Sequence, residues 1–151
     1  MDHEAIFQQI KVESEALEYI SGAVERTMAW TVEGEEFSRK LSSVRFITES
    51  FQRHLDRLFA LEELDGYMTV VRNRRPGLTS KVNGLKRQHD QLRTTVQQLL
   101  LQLERASPTD RQNFDGICKD LQKTIGKVRK HNQQENELLL EVVMRDTGGE
   151  G

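Results

Sequence analysis

Apolar residues in this chain recur every three or four positions along four long segments, and three short breaks separate them. That spacing is the period of an amphipathic α-helix. The first segment runs from about Glu4 to Trp30, with Phe7, Ile10, Leu17, Val24 and Met28 on one face, and ends at Thr31-Val32-Glu33-Gly34. The second runs from about Glu35 to Val71, with Leu41, Val44, Phe51, Leu55 and Leu58 in register. The break after it, Arg72-Asn73-Arg74-Arg75-Pro76-Gly77, contains both strong helix breakers. The third spans about Leu78 to Arg105, with Leu78, Val82, Leu85, Leu92, Val96, Leu99 and Leu103. Ala106-Ser107-Pro108 closes it, with Ser107 predicted as the N-cap of the next helix and Pro108 in its first turn. The fourth runs to about Arg145, with Phe114, Cys118, Leu121, Ile125, Val128, Leu138 and Val142, leaving 146–151 as a short flexible tail.

Helices joined by short connections become antiparallel neighbours, so the pattern predicts an all-α, up-down-up-down four-helix bundle forming one domain over residues 1–145. Segments this long also suit a coiled-coil rod, but the three breaks favour folding back. Composition fits narrow apolar stripes on charge-rich helices: 36% of residues are hydrophobic and 30% charged. Disorder gives similar totals without the periodicity.

A net charge of −2 provides no general field for nucleic acid or anionic membrane. One cysteine excludes an internal disulfide, and no apolar run reaches the roughly 18 residues of a membrane helix. The start, Met1-Asp2-His3-Glu4, lacks the basic and apolar regions of a signal peptide. A cytoplasmic protein that binds neither nucleic acid nor membrane is the expectation.

The stripe positions that are not apolar are the informative ones. On the third helix the series 78, 82, 85, 89, 92, 96, 99, 103 is apolar except for His89. On the fourth, 121, 125, 128, 131, 135, 138, 142 places His131 and Glu135 one turn apart on the buried line. On the second, 51, 55, 58, 62 puts Glu62 inward, and on the first, 7, 10, 14, 17 does the same for Ser14. The spacing also divides the chain into two weakly related halves. His89 to His131 is 42 residues and Ser14 to Leu58 is 44, and a carboxylate follows four positions later in each half.

Buried carboxylates and imidazoles need compensation. Imidazole nitrogens and carboxylate oxygens projecting inward from facing helices are the donor set of bundle-core metal sites. The alternative is a pair of core histidines hydrogen-bonded to each other or to Glu62 and Glu135.

At these residues the chain resembles the hemerythrin-like (HHE cation-binding) family. Lys130-His131-Asn132-Gln133-Gln134-Glu135-Asn136-Glu137-Leu138-Leu139 is similar to the family's last-helix motif, a His with acidic residues four and five later, ahead of Leu-Leu. The ending Arg145-Asp146-Thr147-Gly148-Gly149-Glu150 is similar to one seen in a bacterial branch. Leu85-Lys86-Arg87-Gln88-His89-Asp90-Gln91-Leu92 resembles the third-helix motif. Leu58-Phe59-Ala60-Leu61-Glu62-Glu63 resembles the second-helix motif, His-Phe-x-x-Glu-Glu, with Leu58 where the His belongs. Val12-Glu13-Ser14-Glu15-Ala16-Leu17 resembles the first-helix motif, with Ser14 where its His belongs.

The resemblance covers essentially the whole chain. It implies a hemerythrin-like bundle whose complete members bind two irons, bridged by carboxylates and capped by histidines. Carried over position by position, it gives His89, His131, Glu135 and Glu62 as surviving metal ligands, with His54, one turn before Leu58, as an additional candidate. The survivors surround one metal position and leave the other without nitrogen donors. An incomplete, mononuclear non-haem site is therefore expected, holding iron or another divalent metal, in sensing or in metal, oxygen or nitric oxide handling. A metal ion and a small diatomic ligand are the implied partners; no protein partner is indicated.

Two other classes compete. One is a metal-free bundle that has kept the fold and acts as an interaction or regulatory module. The other, an enzyme using mononuclear iron for oxygen chemistry, needs a substrate cavity, and a non-enzymatic role is expected. The remaining features read as structural. His3 is expected to be exposed in a fraying first turn, and Arg72, Arg74, Arg75 and Lys81 form a solvated basic turn. Cys118 reads as a small core residue, and Tyr19, Tyr67, Trp30 and the six Phe as core or helix-end packing. No phosphate loop, nucleophile elbow or Cys-based zinc motif is present.

Overall fold

The computed structural model describes residues 3–34, 36–64 and 66–148, with side chains over 4–34, 36–64 and 66–142. The side chain of His3 and residues 149–151 of the expected tail lie outside the described residues. The elements are α1 (His3–Ala29), α2 (Glu36–Glu63), α3 (Tyr67–Arg74), a 3-10 turn (Pro76–Leu78), α4 (Thr79–Arg105) and α5 (Arg111–Gly148). The four long helices form the expected antiparallel bundle, in the spatial order α1, α2, α4, α5 and back to α1.

Each break has a local cause. Gly34 turns the chain between α1 and α2 at φ 63°, a left-handed conformation that residues with a Cβ avoid. Between α4 and α5 the cap differs from expectation. Asp110, not Ser107, caps α5: its Oδ1 accepts from Asn113 N at 3.0 Å. Ser107 closes a separate turn over Pro108, its Oγ accepting from Thr109 N at 3.2 Å. At the far end α5 runs to Gly148 instead of stopping at Arg145. Asp146 and Thr147 are weak helix formers but not breakers, so the helix continues through them.

The second segment departs most from its sequence reading. A helix continuous to Val71 is interrupted after Glu63 and resumes at Tyr67. Gly66 lies so close to the preceding turn that a Cβ there would stand 2.2 Å from the Leu61 carbonyl oxygen and 2.8 Å from Glu62 Cα. Only glycine fits. Thr69 Oγ1 donates to the Leu64 carbonyl at 2.6 Å and ties the new helix to the old one. The elbow turns Tyr67, Met68 and Val71 inward.

The core has two parts. A long cluster includes Leu17, Val24, Val44, Phe51, Leu55, Phe59, Val96, Phe114, Leu121 and Ile125. A shorter one joins Tyr67, Met68 and Val71 to Val82, Leu85, Leu138 and Val142 at one end of the bundle. On α2, α4 and α5 the residues between the two clusters are Glu62, His89, and His131 with Glu135, all four buried.

Four apolar assignments change. Ile6 takes the stripe position given to Phe7, which is 37% exposed. Both positions lie within a turn of Ile10, and the smaller side chain is the one enclosed. Tyr19 and Phe46 face solvent, at 73% and 68% exposure, rather than packing in the core. Cys118 is half-buried beside a fully buried Ile117, at the edge of the core rather than within it.

Candidate metal centre

His89 is fully buried on α4, stacked on Phe59 with ring centroids 3.8 Å apart and planes 11° from parallel. His131 on α5 packs edge-on to His89, with centroids 4.7 Å apart. Glu135, one turn further along α5, brings Oε1 to 2.6 Å from His131 Nε2 and Oε2 to 3.5 Å from His89 Nε2. Glu62 on α2 completes the group, its Oε1 3.6 Å from His89 Nε2. Ligand atoms of His89, His131 and Glu135 all lie within 4.8 Å of one another.

The outer nitrogens are held from behind. His89 Nδ1 donates to Glu63 Oε1 at 3.2 Å, and His131 Nδ1 donates to Gln88 Oε1 at 2.6 Å. Glu63 is in turn clamped by Arg93, whose two terminal nitrogens donate to its two oxygens at 2.7 and 2.6 Å. Lys86 Nζ adds a contact at 3.2 Å. Burial works to lift the Glu63 carboxyl, but hydrogen bonds from Arg93, His89 and Lys86 outweigh it and hold the pKa at about 2. It is an anion at any ordinary pH, so it fixes the proton of His89 on Nδ1. With Nδ1 of each ring bound outward, both Nε2 atoms face the interior.

The carboxyls divide one charge. Burial pushes Glu62 well above the ordinary carboxylate range, and its hydrogen bond to Glu135 and that group's charge push the same way. Burial acts upward on Glu135 too, but its polar contacts with Glu62, His131 and His89 hold it below the ordinary range. The pair is therefore a neutral Glu62 donating to an ionised Glu135. Tyr67 adds a second donor, its hydroxyl bonded to Glu135 Oε2. Burial and the Glu135 charge raise the Tyr67 phenol above its usual value and keep it a neutral donor.

Four atoms remain buried without a hydrogen-bond partner in this layer: Glu62 Oε1, His89 Nε2, His131 Nε2 and Glu135 Oε1. Imidazole nitrogens there face carboxyl oxygens. Only a proton or a cation between them makes such a contact favourable. Separations of 3.5 and 3.6 Å suit neighbouring donors on one ion with bonds of roughly 2.1 Å. The residues thus fit a metal ion.

The other sequence candidates lie elsewhere. His54 sits on the α1–α2 surface, its Nδ1 3.1 Å from Glu13 Oε2, and takes no part in the buried group. Ser14 is half-buried and Leu58 buried, both on the wall of a cavity of about 220 Å3 that Glu62 and Glu135 also line. Three contributors escaped the sequence reading. Tyr67 reads as packing in the sequence because the elbow that aims it is not periodic. Glu63 and Gln88 sit directly beside Glu62 and His89, off the buried stripe, and their signal is that adjacency together with their places in the second- and third-helix motifs.

A helical bundle whose apolar core is interrupted by one layer of two imidazoles and two carboxyls belongs among cation-binding bundles. The family described as hemerythrin HHE cation binding domain matches residues 1–143, and the chain belongs to that family. No curated protein and no solved structure matches it.

Proposed function

We infer that the protein binds one divalent metal ion, iron in keeping with its family, through Glu62, His89, His131 and Glu135. Its role on this reading is sensing, or the handling of metal, oxygen or nitric oxide, rather than oxygen transport. The supporting observation is the convergence of four buried, unpartnered donor atoms whose outer neighbours hold them facing inward. Serine and leucine at positions 14 and 58 supply no imidazole, which is why one ion is proposed and not two.

When bound, iron would supply a Lewis-acidic and redox-active centre for a small diatomic ligand. The chain's own residues set the conditions. Glu63 and Gln88 orient the imidazoles, Tyr67 steadies Glu135, and Phe59 walls the layer from the Arg93 side, where that guanidinium lies 5.4 Å from its ring. Among the described residues no helix is long and apolar enough to cross a membrane.

The test is metal analysis after loading with Fe2+ under reducing conditions. About one equivalent, with a rise in thermal stability through mass action, is expected. Substitution of His131 by alanine abolishes both. The metal-free reading draws on the 2.6 Å contact between His131 Nε2 and Glu135 Oε1, which a shared proton also satisfies. No uptake and an unchanged melting temperature would establish it.

A further inference from the structure

His89 is enclosed by packing, but the carboxyl side of the layer borders a cavity. The cavity of about 220 Å3 between α1 and α5 has Ser14, Leu58, Glu62, Asn132, Glu135 and Asn136 on its wall. Glu62 and Glu135 are 4% and 2% exposed, so they form its inner end. Phe7, Lys11, Glu15 and Asn136 are exposed and stand at the outer end. The wall is thus graded in chemistry. An exposed carboxylate comes first, then serine and asparagine oxygens, then the buried carboxyl pair.

We propose that this cavity is the route by which a divalent cation reaches the layer, with Glu15 as the outer attractor and Ser14, Asn132 and Asn136 as successive oxygen partners. The inference rests on the metal-binding reading. A cation cannot shed its water shell in one step, and oxygen donors spaced along a channel replace that shell gradually. The two residues that depart from the family's motif matter here. Serine and leucine at positions 14 and 58 line the passage where the motif calls for imidazoles that would themselves hold an ion.

The competing route lies on the other side of α5. A groove of about 240 Å3 between α4 and α5 reaches His131, but Lys127 and Lys130 flank it and no carboxylate lines it. Two ammonium groups repel a divalent cation, whereas the α1–α5 cavity sets its single Lys11 against three carboxyls, Glu15, Glu62 and Glu135.

The experiment follows uptake of Co2+ alone by metal-stripped full-length protein in stopped flow, and its release to an excess of chelator. Glu15→Lys, a surface change, is expected to slow uptake about tenfold at low salt, with the effect shrinking as salt rises. Ser14→Phe narrows the passage and is expected to slow uptake and release by the same factor, leaving occupancy at equilibrium unchanged. Thr95→Phe, in the α4–α5 groove, leaves both rates at the wild-type value. If Glu15→Lys and Ser14→Phe load at the wild-type rate, or if Thr95→Phe is the variant that slows, the route is wrong while the metal site stands. If wild-type protein takes up no Co2+ or Fe2+, the metal reading falls and the route with it. Should Ser14→Phe fail to fold, the salt-dependent effect of Glu15→Lys decides.

Discussion

Tyr67 donates its hydroxyl to Oε2 of Glu135, 68 positions along the chain, from a helix that starts where α2 breaks. The same carboxylate meets His131 Nε2 through Oε1. Glu135 therefore meets a residue of the end cluster at one oxygen and a candidate ligand at the other. The elbow at Gly66 is what makes this possible, because a straight α2 would carry Tyr67 on along its own axis.

Replacing Tyr67 by phenylalanine keeps the ring and removes the donor. A hydrogen bond to an ionised carboxylate contributes roughly 1.5–3 kcal/mol, and the metal-free protein should lose about that much on chemical unfolding. Outer partners of a ligand commonly alter metal affinity by about 10–100-fold, so competition against a chelator should show a weaker site. An unchanged affinity would leave Tyr67 with a packing role only.

The glycines make opposite predictions. Gly66→Ala drives a Cβ to 2.2 Å from a backbone oxygen that no side-chain rotation can relieve. A loss of about 2–3 kcal/mol or more is expected, with α3 displaced and the Tyr67 contact broken. Gly126→Ala in α5 meets nothing within 4 Å and should stabilise by about 0.5–1 kcal/mol. Urea titrations of the two variants should move to opposite sides of wild type.

The bundle was legible because its stripes are long and regular: Val82, Leu85, Leu92, Val96, Leu99 and Leu103 all lie buried where period 3.6 puts them. The polar layer was legible for the same reason, since an imidazole at position 89 interrupts an otherwise apolar line. What periodicity does not carry is contact between elements. Gly66 is indispensable only because Leu61 and Glu62 crowd it, and nothing in a helical pattern announces that approach. Asp110 was passed over as a cap because Ser107 and Pro108 form the commoner signal, while the structure spends them on a separate turn.

Cys118 gives a pH-dependent readout away from the metal layer. Burial pushes its thiol up to about 11 from 9.0, against a smaller opposing pull from Lys40. The fold favours the protonated thiol, so this contribution to stability is present below about pH 9 and is lost as pH rises toward 11. At pH 8 a small alkylating reagent should modify folded protein more slowly than urea-unfolded protein. The folded rate should climb between pH 9 and 11, and a plateau already reached at pH 8 would contradict the assigned environment.

Ser14→His combined with Leu58→His tests whether the cavity between α1 and α5 is the vacated half of a two-metal centre. Both positions share its wall with Glu62 and Glu135, the carboxyls that a second ion would also meet. Without metal the change is unfavourable, because Leu58 is 1% exposed and an unpartnered imidazole there costs roughly 2–3 kcal/mol. With metal at about 100 times its dissociation constant, mass action returns roughly 2.7 kcal/mol. The double variant should therefore melt below wild type when stripped, recover on loading, and bind about two equivalents where wild type binds about one. Equal stoichiometry in the two proteins, with the stripped variant folded by circular dichroism, would mean that positions 14 and 58 are not the missing ligand positions.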